Sequence, residues 1–92
     1  MGARAAVVDV REGDERETLR ANLPGEIDLL FLDGAKEMYR EVLAMLEPRL
    51  APGALVVADN ACRAPDFREH VRSSGRYLSA DVGGDVEVAM LL

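Results

Sequence analysis

The sequence predicts an α/β fold in which a mostly parallel sheet is doubly wound by helices and ends in an antiparallel hairpin. Two apolar runs, residues 27–32 and residues 54–58, have the length of strands and no polar alternation, which is typical of strands buried on both faces. A helical repeat of apolar residues separates them, and strand–helix–strand units form parallel sheets through right-handed crossovers. An alternating segment at the end of the chain favours an antiparallel edge.

The composition indicates a small acidic globular protein. The chain has 92 residues, of which 49% are hydrophobic and 30% charged, and its net charge is −6. This balance argues against nucleic acid or an anionic membrane as a partner, because phosphate binding needs clustered Lys and Arg. The sequence contains neither a signal peptide nor an apolar run as long as a membrane span. The single cysteine, Cys62, fits a reducing compartment, so we expect a cytoplasmic protein.

The first predicted strand, residues 7–10, leads into a helix that begins near Asp14. Asp14 and Glu17 have the spacing of a helix capping box, and Pro24-Gly25 ends this segment. After the strand at residues 27–32, a second helix presents one apolar stripe, formed by Tyr39, Val42, Leu43, Leu46 and Leu50. We expect Ala51-Pro52-Gly53 to end it, since proline cannot continue a helix.

The remaining elements are a third helix and a hairpin. The helix is predicted over residues 65–73, with Pro65 in its first turn and Ser74-Gly75 at its end. Strands at residues 76–82 and 86–91 flank Gly83-Gly84-Asp85, which suits a hairpin turn. The order β-α-β-α-β-α-β-β predicts a Rossmann-like doubly wound sheet with an antiparallel end.

Three candidate ligands lie at the ends of the two apolar strands. Asp33 follows one strand, and Asp59 and Asn60 follow the other. Open α/β sheets bind ligands beyond the carboxyl ends of their parallel strands. Carboxylate and amide oxygens are hard ligands that suit Mg²⁺ or Ca²⁺. The alternative is that the two aspartates only cap helices or form turns, and spacing alone does not separate these interpretations.

Lys36 is the candidate for proton transfer. It lies three residues after Asp33, in the first turn of a helix, where positive charge is disfavoured. A lysine beside a metal can act as a general base, and an exposed lysine without function is the simpler alternative. His70 has no companion at ligand spacing and is expected on the surface, and Cys62 is interpreted as a structural or incidental thiol.

Two motifs together resemble a known family. The first is Asp33-Gly34-Ala35-Lys36 followed by Tyr39, which gives the pattern Asp-x-x-Lys-x-x-Tyr. The second is the strand at residues 50–60, which ends in Asp-Asn. This combination resembles the class I S-adenosylmethionine-dependent O-methyltransferases of the catechol and caffeoyl-coenzyme A type. The resemblance runs from about residue 7 to the end of the chain.

The resemblance implies a role for each candidate residue. Asp33, Asp59 and Asn60 would bind Mg²⁺ or another divalent cation such as Ca²⁺, which clamps a small hydroxylated acceptor. Lys36 would deprotonate the attacking hydroxyl. Asp14 matches the position that meets the adenine of S-adenosylmethionine, and Asp33 is also expected to border that cofactor.

The chain also departs from the family. It contains no Gly-x-Gly-x-x-Gly loop, and the resemblance begins at the family's third strand. We therefore expect residues 1–92 to form one partial domain, truncated on its N-terminal side, with weak or no turnover alone. Two alternatives stay open: a non-catalytic interaction fragment, and a receiver-like domain with Asp33 as phospho-acceptor.

The partial domain has a structural consequence. In the family's sheet, two further strands separate the strand around Val8 from the strand around Leu30. We expect the Val8 strand either to pair directly with the Leu30 strand or to be completed by another chain. Exposed sheet edges bind other strands readily, so a homodimer through such an edge is also predicted.

Overall fold

The computed structural model describes residues 7–11 and 26–92, which form one five-stranded mixed sheet with two α-helices. The elements are β1 (Val7–Arg11), β2 (Ile27–Asp33), α1 (Tyr39–Leu46), β3 (Leu50–Asp59), α2 (Pro65–Ser73), β4 (Tyr77–Asp81) and β5 (Val86–Leu91). Short 3₁₀ turns occupy Lys36–Met38, Glu47–Arg49 and Ala61–Arg63. The predicted helix near Asp14 lies outside the described residues.

The strand order is β1-β2-β3-β5-β4, with β1, β2 and β3 parallel and the last two strands antiparallel. This confirms the predicted α/β sheet with an antiparallel C-terminal hairpin. Val8 pairs with Leu30, so β1 joins β2 directly, as in the first of the two predicted arrangements. Edge-to-edge dimerisation through β1 or β4 stays a prediction. Among the described residues, no helix has the length and apolar character needed to cross a bilayer.

One face of the sheet carries the core, because α1 and α2 both pack against it. The core is formed by the strand side chains of this face and by the helix side chains that cover them. The strands contribute Val8, Val10, Leu30, Leu32, Val56, Ala58 and Ala89. The helices contribute Tyr39, Val42, Leu43, Leu46, Phe67 and Val71. The buried residues of α1 are those of the predicted apolar stripe.

The opposite face is more open than the sequence predicts. Phe31 and Leu55 alternate with the core residues of β2 and β3 and remain 40% and 39% exposed. Strands without polar alternation are usually covered on both faces, but both described helices lie on the same side. At Phe31 and Leu55 the prediction of burial on both faces is therefore wrong.

Helix α1, the second of the predicted helices, ends earlier than predicted. It stops at Leu46, and Pro48 lies in the 3₁₀ turn that follows. Pro48 has no backbone N–H, so it cannot continue the helical hydrogen bonds. Ala51-Pro52-Gly53 belongs instead to β3. The register between β2 and β3 shifts there, because Ile27 pairs with Leu50 but Leu29 pairs with Leu55. Proline and glycine suit such an irregular stretch of strand, and Gly53 has φ of +84°.

A buried carboxylate lies within this core. The alternation of β5 points Glu87 and Ala89 toward the helices, and Glu87 is 0% exposed. Arg72 of α2 donates two hydrogen bonds to its carboxylate, at 2.9 and 2.8 Å. Arg68 Nε lies 3.6 Å from the same group. A carboxylate is tolerated in a core only when charged donors satisfy it, and here α2 supplies them.

The Arg72–Glu87 pair should respond asymmetrically to substitution. Arg72→Met leaves the buried Glu87 carboxylate with only Arg68 nearby, whereas Glu87→Met leaves an arginine that is 46% exposed and can be hydrated. We expect Arg72→Met to lower the thermal midpoint by more than about 5 °C, and Glu87→Met to lower it less. Thermal unfolding followed by circular dichroism measures both. Equal losses would contradict this account of the pair.

Candidate active site

Asp33 and Asp59 lie side by side at the carboxyl edge of the parallel strands. Leu32 and Ala58 are the last residues of β2 and β3 that pair with each other. Asp33 and Asp59 come next and pair with the outer neighbours of these strands, β1 and β5. Both aspartates line one pocket of about 400 Å³ on the open face of the sheet. Asp9 of β1 lines the same pocket, whose apolar wall includes Phe31. The two strand-end carboxylates thus meet in one cavity.

The Tyr39 hydroxyl connects these two strand ends. It lies 2.8 Å from the carbonyl oxygen of Leu32 and 2.9 Å from that of Asp59, which places its proton between two acceptors. Its ring packs edge-on against Phe67 at 5.9 Å. Burial raises the pKa of Tyr39, although the nearby Lys36 acts to lower it. The phenol therefore stays protonated as a donor at neutral pH.

Lys36 is held at the same rim. Its ammonium donates a hydrogen bond to the Gly34 carbonyl at 2.9 Å and lies 5.4 Å from the centre of the Tyr39 ring. The face of an aromatic ring attracts a cation at this distance. The electrostatic neighbours of the Tyr39 hydroxyl are Lys36, Asp33 and Asp59, so the motif gathers its charged groups around one buried phenol.

The third predicted metal ligand is placed differently. Asn60 adopts a left-handed conformation, with φ 54° and ψ 45°, and its backbone N–H donates to Asp59 Oδ1 at 3.0 Å. It is exposed and does not line the pocket of Asp33 and Asp59. Within residues 7–11 and 26–92, no three acidic, histidine or cysteine side chains are gathered as a metal site. Asp14, predicted at the adenine, lies outside the described residues.

The hairpin turn fixes the loop that follows Asn60. Asp85 accepts hydrogen bonds from the backbone N–H of Cys62 through its carboxylate, at 3.0 Å, and from that of Ala61 through its carbonyl, at 3.1 Å. The contact with Cys62 holds the pKa of Asp85 below its usual value and raises the pKa of the Cys62 thiol. In the sequence Asp85 is recognisable only as a turn residue, so this role was not predicted.

A second polar cluster joins the helices to the hairpin. Glu47 follows α1 and accepts a hydrogen bond from the Tyr77 hydroxyl at 2.5 Å, and His70 Nε2 lies 2.9 Å from it. Burial acts to raise the pKa of Glu47, but these hydrogen bonds outweigh it and lower the pKa. The His70 side chain is only 16% exposed, so its prediction as a surface residue is wrong. Its partner is 23 residues away, beyond any local spacing rule.

Comparison with known families identifies the family of this chain. A family profile described as a methyltransferase domain matches residues 2–61, about two thirds of the chain. The chain therefore belongs to the methyltransferase domain family. The matched segment contains Asp33, Lys36, Tyr39 and Asp59, and membership sets aside the receiver-like alternative. None of the curated proteins with which the chain was compared matches it.

The Tyr39 hydroxyl should stabilise the strand ends. Tyr39→Phe keeps the ring against Phe67 but leaves the buried Leu32 carbonyl without this donor. We expect the free energy of unfolding to fall by about 1–3 kcal/mol, the usual effect of an unsatisfied buried polar group. Denaturant unfolding measures the loss, and amide spectra should shift most at Asp33 and Asp59. An unchanged stability with unchanged amide shifts would show that the hydroxyl does not join these strands.

Proposed function

We propose that this chain provides the acceptor side of an S-adenosylmethionine-dependent O-methyltransferase that acts on a small hydroxylated compound with the help of a divalent cation. The observation that carries the proposal is the pocket shared by Asp33 and Asp59. Membership in the methyltransferase domain family supports methyl transfer in general. The pairing of carboxylates with Lys36 at one rim supports transfer to an oxygen that must first lose a proton.

The donor set is chemically suited to a magnesium-like ion. Magnesium commonly binds through one or two protein carboxylates and completes its shell with water and substrate oxygens. Asp33 and Asp59 supply two such carboxylates in one pocket. Asn60, next to Asp59 and exposed, is the proposed third ligand.

The chain's own residues would then divide the chemistry between them. When bound, the cation would acidify and orient the acceptor hydroxyl, and the sulfonium cofactor would present the methyl group. Lys36 would have to be in its neutral amine form to take the proton as the hydroxyl oxygen bonds to the methyl carbon. The carbon–sulfur bond of the bound donor would break in the same step and leave its electron pair on sulfur. Tyr39 would hold the strand ends that carry Asp33 and Asp59 in register.

Calorimetry with the full 92-residue chain tests the proposal. We expect S-adenosylmethionine to bind, and Mg²⁺ to bind in the presence of a catechol probe. Asp59→Asn should weaken Mg²⁺ binding at least about tenfold, because it removes one of two anionic ligands. Glu69→Gln is the matched control, since it also removes one negative charge but lies exposed on α2, away from the pocket.

Three outcomes separate the interpretations. Cofactor binding together with a selective loss in Asp59→Asn supports the proposed enzyme. Equal losses in Asp59→Asn and Glu69→Gln would mean that Mg²⁺ senses only net charge. If neither ligand binds, the chain is better explained as a non-catalytic interaction fragment with the same fold.

A further inference from the structure

A second pocket lies on the helix side of Lys36. It has a volume of about 180 Å³, and Lys36, Arg40 and Arg63 contribute to its walls. The first residues of α2 complete the lining. Lys36 thus neighbours the carboxylate pair on one side and a group of arginines on the other. The volume suits one small polar group rather than a whole acceptor molecule.

Neither arginine has a carboxylate bound to its guanidinium group. Among residues 7–11 and 26–92, the side chains of Arg40 and Arg63 make no hydrogen bond or ion pair, although Glu37 and Asp66 line the same pocket. The charge of Arg63 also acts to lower the pKa of Asp85. Arg72, by contrast, forms an ion pair with the carboxylate of Glu87. Guanidinium groups are always charged and match the oxygen pairs of carboxylates and phosphates. An unpaired pair of them in a cavity is chemically suited to an oxyanion.

The backbone beside the pocket has the same polarity. Helix α2 begins at Pro65 without a side-chain cap, and its first residues line the pocket. The uncapped N–H groups at a helix start carry partial positive charge. This feature adds to the field of Arg40 and Arg63 and carries no site alone.

We propose that the acceptor carries an oxyanion, a carboxylate or phosphate, which Arg40 and Arg63 bind while its hydroxyl lies at Lys36. The assignment of the hydroxyl rests on the proposed function, whereas oxyanion binding by the arginines does not. The proposed acceptor is therefore an acidic hydroxylated compound. The anion would also balance the positive charge that two arginines place near Lys36.

A titration that requires neither cofactor nor metal tests the oxyanion pocket. Inorganic phosphate is added to the ¹⁵N-labelled full chain, and saturable shifts are expected at residues 36–40 and 63–67, with a dissociation constant on the order of millimolar. Arg40→Gln combined with Arg63→Gln should weaken this binding at least about tenfold. Arg49→Gln, to be compared with each single variant as well, is the control for the loss of one positive charge, because Arg49 is exposed and lies outside the pocket.

Equal weakening in the control, or shifts that do not saturate, would overturn the pocket assignment. A second measurement then addresses the acceptor. The affinity for 3,4-dihydroxybenzoate relative to that for catechol, measured by calorimetry with Mg²⁺, should fall about tenfold in the double variant and not in Arg49→Gln. A phosphate site on a chain that binds neither S-adenosylmethionine nor Mg²⁺ would leave the pocket standing and contradict the proposed function. An unchanged ratio of the two affinities would contradict the acidic acceptor.

Discussion

The hydrogen bonds of the Tyr39 hydroxyl are the constraint on which the site depends. Neighbouring strands twist relative to each other, and β2 and β3 stop pairing with each other at Leu32 and Ala58. The Tyr39 hydroxyl contacts the carbonyl oxygens of both Leu32 and Asp59 from the helix side of the sheet. Its ring is set by Phe67, so the packing of α2 against α1 determines where the strand ends lie. Core and site therefore share a single side chain.

This arrangement separates charge across the rim. The carboxylates of Asp9, Asp33 and Asp59 face the open side of the sheet, and Arg40 and Arg63 lie on the side of the helices. The separation follows from topology, because residues after a strand emerge at the edge while residues of the helices cover one face. A molecule bound across the rim would meet negative charge at one end and positive charge at the other. Lys36 stands near the boundary.

The sequence was sufficient where local rules decide the structure. The predicted helix at residues 65–73 coincides with α2, and the final strand at 86–91 coincides with β5. The meeting of Asp33 and Asp59 followed from their positions after two parallel strands. The predicted helix after Asp33 corresponds to α1 but extends too far, because Pro48, and not Ala51-Pro52-Gly53, ends the helical hydrogen bonds.

Other features depend on pairings that no local pattern contains. Glu87 alternates with valines and would be placed toward solvent, but Arg72, 15 positions earlier, makes its burial favourable. Asp85 anchors the loop at Cys62 across 23 positions. Tyr39 counted as one member of an apolar stripe, and nothing in the sequence specified that its hydroxyl would bridge two strands. Such contacts require the register of the sheet and the packing of the helices to be known first.

The position of Lys36 has a practical consequence for chemistry in solution. It is the only lysine of the chain, so its side chain and the amino terminus are the only primary amines in these 92 residues. Reductive methylation with isotope-labelled formaldehyde would place one side-chain spectroscopic label, directly between the acidic and basic halves of the rim. The resonance of the labelled Lys36 side chain would then report on ligands that bind in either of the two pockets.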